Sequence, residues 1–352
     1  MGVRSWTPRG WTASAVAVAV LAAAVGAGVV VSERLGADAR VQDVARLVPA
    51  DLAGLDVTDW ESVRDRLGES GDGLVAAASD RDLATRSTLV SSDVVVAEGL
   101  GWSPRTVRWE AFVQTSAGTG LLVGLPESRS RTEARLRDVG YVESDGLWTI
   151  DLSDLRVDGA STPETFQQVR LLGDGVAVAS SEVPVVEQLT AIAEGRAESL
   201  ADDPTAARTW AQASALDVFA LQDGQAGCDS TDPAESGPDI AAQAAVAVDA
   251  AGELRPYRWL VRGLDVSAAP TDEPDRFVVA MTFDSSTQAA EQAEVRSRLA
   301  TGPFIGQTGT VEESIELTRQ SVDDGVAVLD LDRQDGAVSL MAFAGPLVLA
   351  SC

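Results

Sequence analysis

The order of apolar and polar positions along the chain predicts strands mixed with a few long helices. Residues 121–124 and 277–283 are short apolar runs with the length of buried strands. Each run leads into a helical segment, 128–139 in one case and 286–300 in the other, and each segment is followed by a glycine stop. The pattern favours an α+β fold in which a helix covers one face of each antiparallel sheet.

A strand followed by a helix is also predicted at residues 52–68. Thr58 stands at capping-box spacing before an acidic residue, and Gly68 supplies a stop. Trp60, Val63 and Leu67 fall on one helical face, so we interpret Trp60 as a core residue rather than a ligand-binding one.

Glycine-containing turns at 145–146, 173–175 and 335–336 indicate antiparallel hairpins. The stretch 192–210 is predicted to be a helix or loop between two halves of the chain. Residues 227–238, rich in Asp, Ser, Gly and Pro, are predicted to form a surface loop.

Two short motifs recur, each with the same displacement of 150 positions. Asp174-Gly-Val-Ala-Val178 returns as Asp324-Gly-Val-Ala-Val328. The other repeat gives six anchor residues: Arg105, Arg108, Trp109, Arg255, Arg258 and Trp259. A shared displacement is typical of tandem duplication. We therefore predict two related α+β domains, at 49–198 and 199–352.

The anchor arginines do not require a binding role. If each motif is extended, residues three apart point to opposite faces, so neither Arg105 with Arg108 nor Arg255 with Arg258 forms one clamp. In a chain this acidic we expect these arginines to pair with acids at the surface, while one residue of each motif packs in the core.

The N-terminal region carries the pattern of a membrane segment. Residues 11–31 contain no charged side chain and are long enough to cross a hydrocarbon core of about 30 Å. Arginines at positions 4 and 9 place residues 1–10 in the cytoplasm by the positive-inside rule. We expect a retained signal anchor, with a cleaved signal peptide as the alternative, and 32–48 as a connector to an extracytoplasmic portion.

The chain contains two cysteines, Cys228 and Cys352. In an oxidising compartment such a pair is most simply interpreted as one disulfide that pins the loop at 227–238, and two buried thiols are the alternative. Two cysteines without histidine do not suggest a metal site.

Composition narrows the functions that the chain can perform. The net charge is −27, and His, Lys and Asn are absent. A Ser or Cys nucleophile would therefore lack its usual base, and the negative charge opposes binding of nucleic acid. The sequence predicts no cofactor, no metal and no catalytic residue set, so we expect a protein that is not an enzyme.

Three short motifs, Pro49-Ala-Asp51, Thr58-Asp-Trp60 and Ser199-Leu-Ala-Asp-Asp-Pro204, accompany the N-terminal anchor and the tandem halves. Together they resemble uncharacterised actinobacterial envelope proteins, which are single-pass or secreted and carry domains of unknown function. The resemblance implies a location and an architecture and no activity.

These observations favour a non-catalytic, extracytoplasmic cell-envelope protein that is structural or binds an unidentified ligand. Its expected partners are the membrane, through the N-terminal helix, and an envelope component or another protein. A carboxylate-dependent glycan hydrolase is one alternative, and it requires two acids roughly 5–10 Å apart in a cleft. A carrier of lipid or another small apolar molecule is the other, and it requires an apolar cavity between sheet and helix.

Overall fold

The strands that the structure describes form one antiparallel sheet. The computed structural model describes residues 41–92, 96–97, 99–151, 164–173, 175–267, 274–306, 309–334 and 347–352. The strands of these residues are β1 (Gly54–Thr58), β2 (Trp109–Thr115), β3 (Gly118–Gly124), β4 (Val142–Ser144), β5 (Leu147–Thr149), β6 (Gln168–Leu172), β7 (Val176–Ser180), β8 (Val218–Asp223), β9 (Trp259–Asp265), β10 (Arg276–Thr282), β11 (Ile315–Asp323) and β12 (Val326–Arg333). Their order in the sheet is β11-β12-β10-β9-β8-β1-β2-β3-β7-β6-β5-β4.

Helices lie on both faces of the sheet. The α-helices of the described residues are α1 (Trp60–Leu67), α2 (Leu74–Asp80), α3 (Thr88–Ser91), α4 (Arg129–Val139), α5 (Val183–Ala193), α6 (Pro204–Ala213), α7 (Gly224–Thr231), α8 (Pro238–Ala251) and α9 (Ser286–Ala300). Short 3-10 turns occur at Val41–Arg46, Glu164–Phe166, Leu200–Asp202, Pro233–Ser236, Val311–Glu313 and Val348–Ala350. The mixed α+β class with a large antiparallel sheet is therefore confirmed.

Alternation along the strands builds two separate cores. Leu121 and Val279 belong to the core under α1, α4 and α9, which we call the front face. Their neighbours Leu122 and Val278 belong to the core under α5 and α6, the back face. The expectation that helices cover only one face is wrong, because strands such as β7 are buried along their whole length and need cover on both sides.

The strand order relates the two halves of the chain to each other. Residues before α6 contribute the order β1-β2-β3-β7-β6-β5-β4, and later residues contribute β8-β9-β10-β12-β11, which matches the first five strands of that order. β1 and β8 are antiparallel neighbours, with Asp56 opposite Ala220, so the two sets of strands run outward from this pair. The ranges 49–198 and 199–352 thus each supply one side of a continuous sheet.

Several local predictions are confirmed. α1 ends at Gly68, where φ is 61°. Its N-cap is Asp59 rather than Thr58, because the Asp59 carboxylate accepts a hydrogen bond from the Ser62 amide at 3.0 Å and Thr58 is the last residue of β1. α4 follows Ser128 and α9 spans the predicted residues.

Turn chemistry fixes the tight hairpins. Asp145 and Gly146, with φ of 52° and 77°, join β4 to β5, and Asp324 and Gly325, at 42° and 82°, join β11 to β12. Positive φ at both central residues is the requirement of a type I′ turn. The hairpin of β6 and β7 around 173–175 is also present, whereas the turn predicted at 335–336 lies outside the described residues.

Residues 227–238 lie mostly at the surface, as predicted, but the prediction that they form a loop is wrong. These residues lie mostly in α7 and in the 3-10 turn Pro233–Ser236. The Asp223 carboxylate caps α7 by accepting from the Ala226 amide at 2.6 Å, and Cys228 packs against the front-face core. The polar composition of this segment is therefore compatible with a helix, because a side-chain cap stabilises its first turn.

The predicted membrane segment at 11–31, the residues before it and the connector as far as residue 40 lie outside the described residues. Among the residues that the structure does describe, no helix has both the length and the apolar character needed to span a bilayer.

Candidate functional site

An open apolar groove of about 620 Å³ lies on the front face of the second half. Its walls come from residues 242–251 of α8, from residues 298–305, from Val311 and from residues 347–349. The volume falls within the range of roughly 300–1,000 Å³ that small-molecule sites occupy. We refer to this feature as the groove.

The first wall is the exposed side of α8. Pro238 occupies the first turn, and Ala244 and Ala251 are the buried contacts of the helix. Val246 lines the groove and is 71% exposed, an unusual position for a β-branched apolar side chain. α8 therefore presents apolar side chains both to the core and to the groove.

The opposite wall follows the end of α9. Two backbone hydrogen bonds hold the residues after α9 together: the Phe304 amide donates to Gly309 O and the Val311 amide donates to Gly302 O, both at 3.0 Å. Residues 302–305 thereby lie next to Val311. Phe304, which is 9% exposed, and Ile305, which is 5% exposed, reach the groove from this segment. Backbone bonding thus holds two large apolar side chains at the groove.

The floor of the groove is the C-terminal segment, which Arg296 holds in place. Arg296 lies in α9 with no exposed surface. Its Nη1 donates to Leu349 O at 2.7 Å and to Ser351 O at 2.8 Å, and its Nη2 donates to Arg255 O at 3.0 Å. The guanidinium also lies 5.6 Å from the centroid of the Tyr257 ring. Burial lowers the Arg296 pKa to about 10, so the side chain stays charged at neutral pH.

A second set of bonds attaches the same segment to α7 and to Tyr257, which lies just before β9. Cys228 and Cys352 form a disulfide with a Cα–Cα distance of 5.3 Å, as the sequence predicts. Tyr257 Oη donates to Ala350 O at 3.0 Å, and Ser351 Oγ donates to Thr231 O at 2.6 Å. The floor is therefore fixed by one covalent bond and several buried hydrogen bonds.

The polar part of the groove is small. Arg298, in the last turn of α9, is the only charged residue among the described residues that line it, and Gln243 is a neutral polar neighbour. Arg298 Nε donates to Ala251 O at 2.7 Å, which links the two helical walls.

A second depression, of about 480 Å³, lies on the back face between the Val41–Arg46 turn, the end of α5 and the Leu200–Asp202 turn. Its charged residues bind partners that are close in sequence. Arg46 pairs with Asp43 at 3.1 Å, and Asp202 accepts from the Ser199 amide and hydroxyl, both at 2.8 Å. The Ser199 donors lower the Asp202 pKa. These contacts explain the polar side chains without a ligand.

The acids with raised pKa lie away from both cavities. Burial raises the pKa of Asp59 to about 6 and also raises that of Asp217. Ser62 joins the pair, because its amide donates to Asp59 and its hydroxyl donates to Asp217. Asp217 also accepts from the Val266 amide at 2.7 Å. Since both carboxyls bond backbone amides and neither lines a described cavity, we interpret them as structural.

Glu110 is a further buried carboxyl with a structural explanation. It accepts from Trp60 Nε1 at 2.8 Å and from the Leu89 amide at 3.1 Å. Burial raises its pKa. The carboxyl thus ties α1 and α3 to β2, and the core position expected for Trp60 is confirmed.

A buried charged cluster lies where the two halves meet. Asp56 of β1 lies 3.6 Å from Arg86 Nη1, and Arg262 of β9 donates to Gln222 Oε1 at 2.9 Å. Burial raises the pKa of Asp56 and lowers that of Arg262 to about 9. The cluster places polar partners at the centre of the sheet rather than in a cavity.

The repeat anchors occupy matching positions in the two halves. Trp109 and Trp259 begin β2 and β9, and both are buried in the back-face core. The four arginines precede these strands rather than lying within them, and Arg105 lies in a turn, so the extended geometry expected for the first motif is wrong.

Three of the four anchor arginines make the surface ion pairs expected of them, with distances of 2.5 Å for Arg105–Asp72, 2.9 Å for Arg255–Glu253 and 2.8 Å for Arg258–Asp284. Arg108 Nη2 donates to Gly175 O at 3.3 Å. None of the six anchor residues lines the groove. The part of the chain that the structure describes also contains no group of three or more His, Cys, Asp or Glu arranged to hold a metal ion.

Sequence reasoning missed the groove residues. The available signal was in residues 238–251, which are apolar around much of the helix surface instead of along one stripe. Such a helix needs more than one apolar neighbour. The second neighbour is the C-terminal segment, which is distant in sequence.

No family model matches the chain, and no curated protein matches it. A solved structure titled "Structure of crystal form III of TP0453" aligns over 85% of this chain and 95% of that chain, with a TM-score of 0.39 and 6% identity. A similarity at this level carries no information on function.

Proposed function

We propose that this chain is a non-catalytic, extracytoplasmic envelope protein that binds a small apolar ligand in the groove. The observation that carries the proposal is the groove itself, whose described lining contains one charged residue in a chain with a net charge of −27. A concave apolar surface with few polar groups is the usual form of a ligand site.

The location rests on separate arguments. Residues 11–31 have the pattern of a signal anchor, and the cysteine pair fits an oxidising compartment. The resemblance to actinobacterial envelope proteins agrees with this placement. A reporter fused to the C-terminus that is active only outside the cytosol tests it, and activity confined to the cytosol would contradict it.

The matched strand orders support a tandem duplication as the origin of the scaffold. β1-β2-β3-β7-β6 and β8-β9-β10-β12-β11 have the same spatial order, apart from the β4–β5 hairpin inserted in the first half, and the equivalent tryptophans begin β2 and β9. We propose that the groove was added to the second copy, which makes ligand binding a property of that half.

Binding is tested with the neutral apolar fluorophore N-phenyl-1-naphthylamine and purified full-length protein. Ala250→Trp places a bulky ring in the groove, and Ala245→Trp is the matched control because Ala245 is exposed on α8 but does not line the groove. Both variants carry the same N-terminal segment, so background partitioning of the probe cancels.

We expect the probe to bind wild type and Ala245→Trp equally, and Ala250→Trp at least several-fold more weakly. Equal binding by both variants would refute the proposal. Failure of the probe to bind wild type would refute it as well.

A further inference from the structure

Arg298 is the one charged residue among the described residues that line the groove, and its guanidinium is only partly hydrogen-bonded. Arg298 is exposed in the last turn of α9. Its Nε donates to Ala251 O at 2.7 Å. Within the described residues its two terminal amino groups make no hydrogen bond, and no carboxylate lies at ion-pair distance from them.

Several other exposed arginines of the described residues form ion pairs, although Arg319 of β11 also has no carboxylate partner among them. Arg258 pairs with Asp284 at 2.8 Å and Arg208 pairs with Asp324 at 3.2 Å. The chain has 54 acids for 27 basic residues, so acidic partners are abundant. Arg298 even has an acid one turn earlier, Glu294, at a spacing that favours pairing on a helix, yet the two do not pair.

The apolar side chains around Arg298 restrict the chemical class of ligand that its guanidinium can bind in the groove. An anion held at its terminal amino groups would have Val246, Phe304 or Leu349 beside the remainder of the molecule. A guanidinium binds a carboxylate through two parallel hydrogen bonds, and this geometry strengthens as water is excluded. A cationic ligand would be repelled, and a doubly charged head group would have one charge unmatched by any lining residue.

Resting on the function proposed above, we propose that the ligand is a single-chain amphiphile with one anionic head group, such as a fatty carboxylate, and that Arg298 pairs with the head group. The hydrocarbon chain lies between α8, residues 302–305 and the C-terminal segment. The Arg298–Ala251 bond fixes the position of the guanidinium before the ligand arrives, which lowers the entropic cost of pairing.

The test compares three ligands of equal chain length: dodecanoate, dodecan-1-ol and dodecylamine. Each displaces N-phenyl-1-naphthylamine from the purified full-length protein. We expect wild type to bind dodecanoate about two- to fivefold more tightly than the alcohol, which is the gain expected from one ion pair made by an exposed guanidinium. The amine is expected to bind most weakly.

Arg298→Gln removes the charge and is expected to bind the acid and the alcohol equally, whereas Arg298→Lys retains part of the preference. Arg131→Gln is the control for net charge, since Arg131 is an exposed residue of α4 outside the groove. It is expected to keep the wild-type preference.

The outcomes separate the two proposals. If wild type binds the probe and the alcohol but shows no preference for the acid, or if Arg298→Gln keeps the preference, this inference is overturned and the proposed function stands. If neither the probe nor the alcohol binds, the proposed function fails and the inference fails with it.

Discussion

Removal of the disulfide is expected to reduce the free energy of unfolding substantially without destroying the groove. Cys228 and Cys352 are separated by 124 positions, so the bond closes a large loop in the unfolded chain. The chain-entropy model assigns about 5 kcal/mol of stabilisation at 25 °C to a loop of this length. This value is an upper bound, because an unfolded chain with residual structure has less entropy to regain.

The folded state should survive the loss because other bonds hold the same segment. Arg296 donates to Leu349 O and Ser351 O, and Tyr257 donates to Ala350 O. Hydrogen bonds of this kind contribute roughly 1 kcal/mol each, and more when the donor is charged. The reduced protein should therefore keep its C-terminal segment in the floor of the groove.

The assay is urea denaturation of the full-length protein, followed by tryptophan fluorescence, with and without reductant. The double variant Cys228→Ser, Cys352→Ser is the control and should be insensitive to reductant. We expect reduction to lower the free energy of unfolding by about 3–5 kcal/mol while N-phenyl-1-naphthylamine binding changes less than twofold. An unchanged denaturation midpoint would refute the entropic argument, and loss of probe binding would show that the hydrogen bonds do not hold the floor.

Three other perturbations test the structural assignments, and each is measured by urea denaturation. Asp59 has its pKa raised to about 6, so the folded state binds this proton more tightly than the unfolded state and stability falls as pH rises from about 4 to about 7. Asp59→Asn keeps the helix cap and should remove about 3 kcal/mol from the change in the free energy of unfolding over this pH range. If the free energy of unfolding of the variant falls with pH as much as that of wild type, the assignment to Asp59 is contradicted. Glu110→Leu leaves two buried N–H donors without an acceptor and should cost roughly 2–5 kcal/mol, whereas a neutral effect would mean that the carboxyl is dispensable. Gly263→Ala would place a Cβ 2.6 Å from the carbonyl oxygen of Val218 and should cost about 1–3 kcal/mol, while Gly54→Ala, whose nearest contact is at 3.5 Å, should be nearly neutral.

Local structure was predictable where one short segment determines it. The helices ending at Gly68 and Gly140 are visible from apolar spacing and from a glycine that adopts positive φ. The hairpin at Asp145 and Gly146 is visible for the same reason, since two residues determine its turn. The antiparallel α+β class follows from these elements.

α7 could not be predicted, because distant packing determines it. Gly224 and Gly227 are poor helix formers, and the surrounding residues are polar. In the structure a Cβ at Gly227 would lie 2.8 Å from the Tyr257 ring, so this glycine permits a close approach between α7 and the start of β9. Tertiary contact therefore overrides a weak local preference.

Sequence patterns also could not predict that the two halves join in one sheet. Alternation identifies a strand and its buried face but not the neighbour across an exposed edge. β1 and β8 satisfy each other's backbone groups over five residue pairs, from Gly54–Gln222 to Thr58–Val218. The groove depends on the same kind of long-range information, because its floor and its first wall are about 100 residues apart in the chain.

The location of the groove follows from the difference between the two halves. In the first half α1 is followed by α2 and α3, and β7 continues into α5 on the back face. In the second half α7 is followed by α8, and residues 347–350 pack on the front face. Five strands of each half and the helices α4 and α9 are equivalent, so they form the common scaffold, whereas β4 and β5 have no counterpart among the described strands of the second half. The groove is built from the segments that the halves do not share, together with the end of α9. We therefore expect variants in the shared strands to change the free energy of unfolding more than the ligand affinity. Variants such as Ala250→Trp or Arg298→Gln should change the ligand affinity more than the free energy of unfolding.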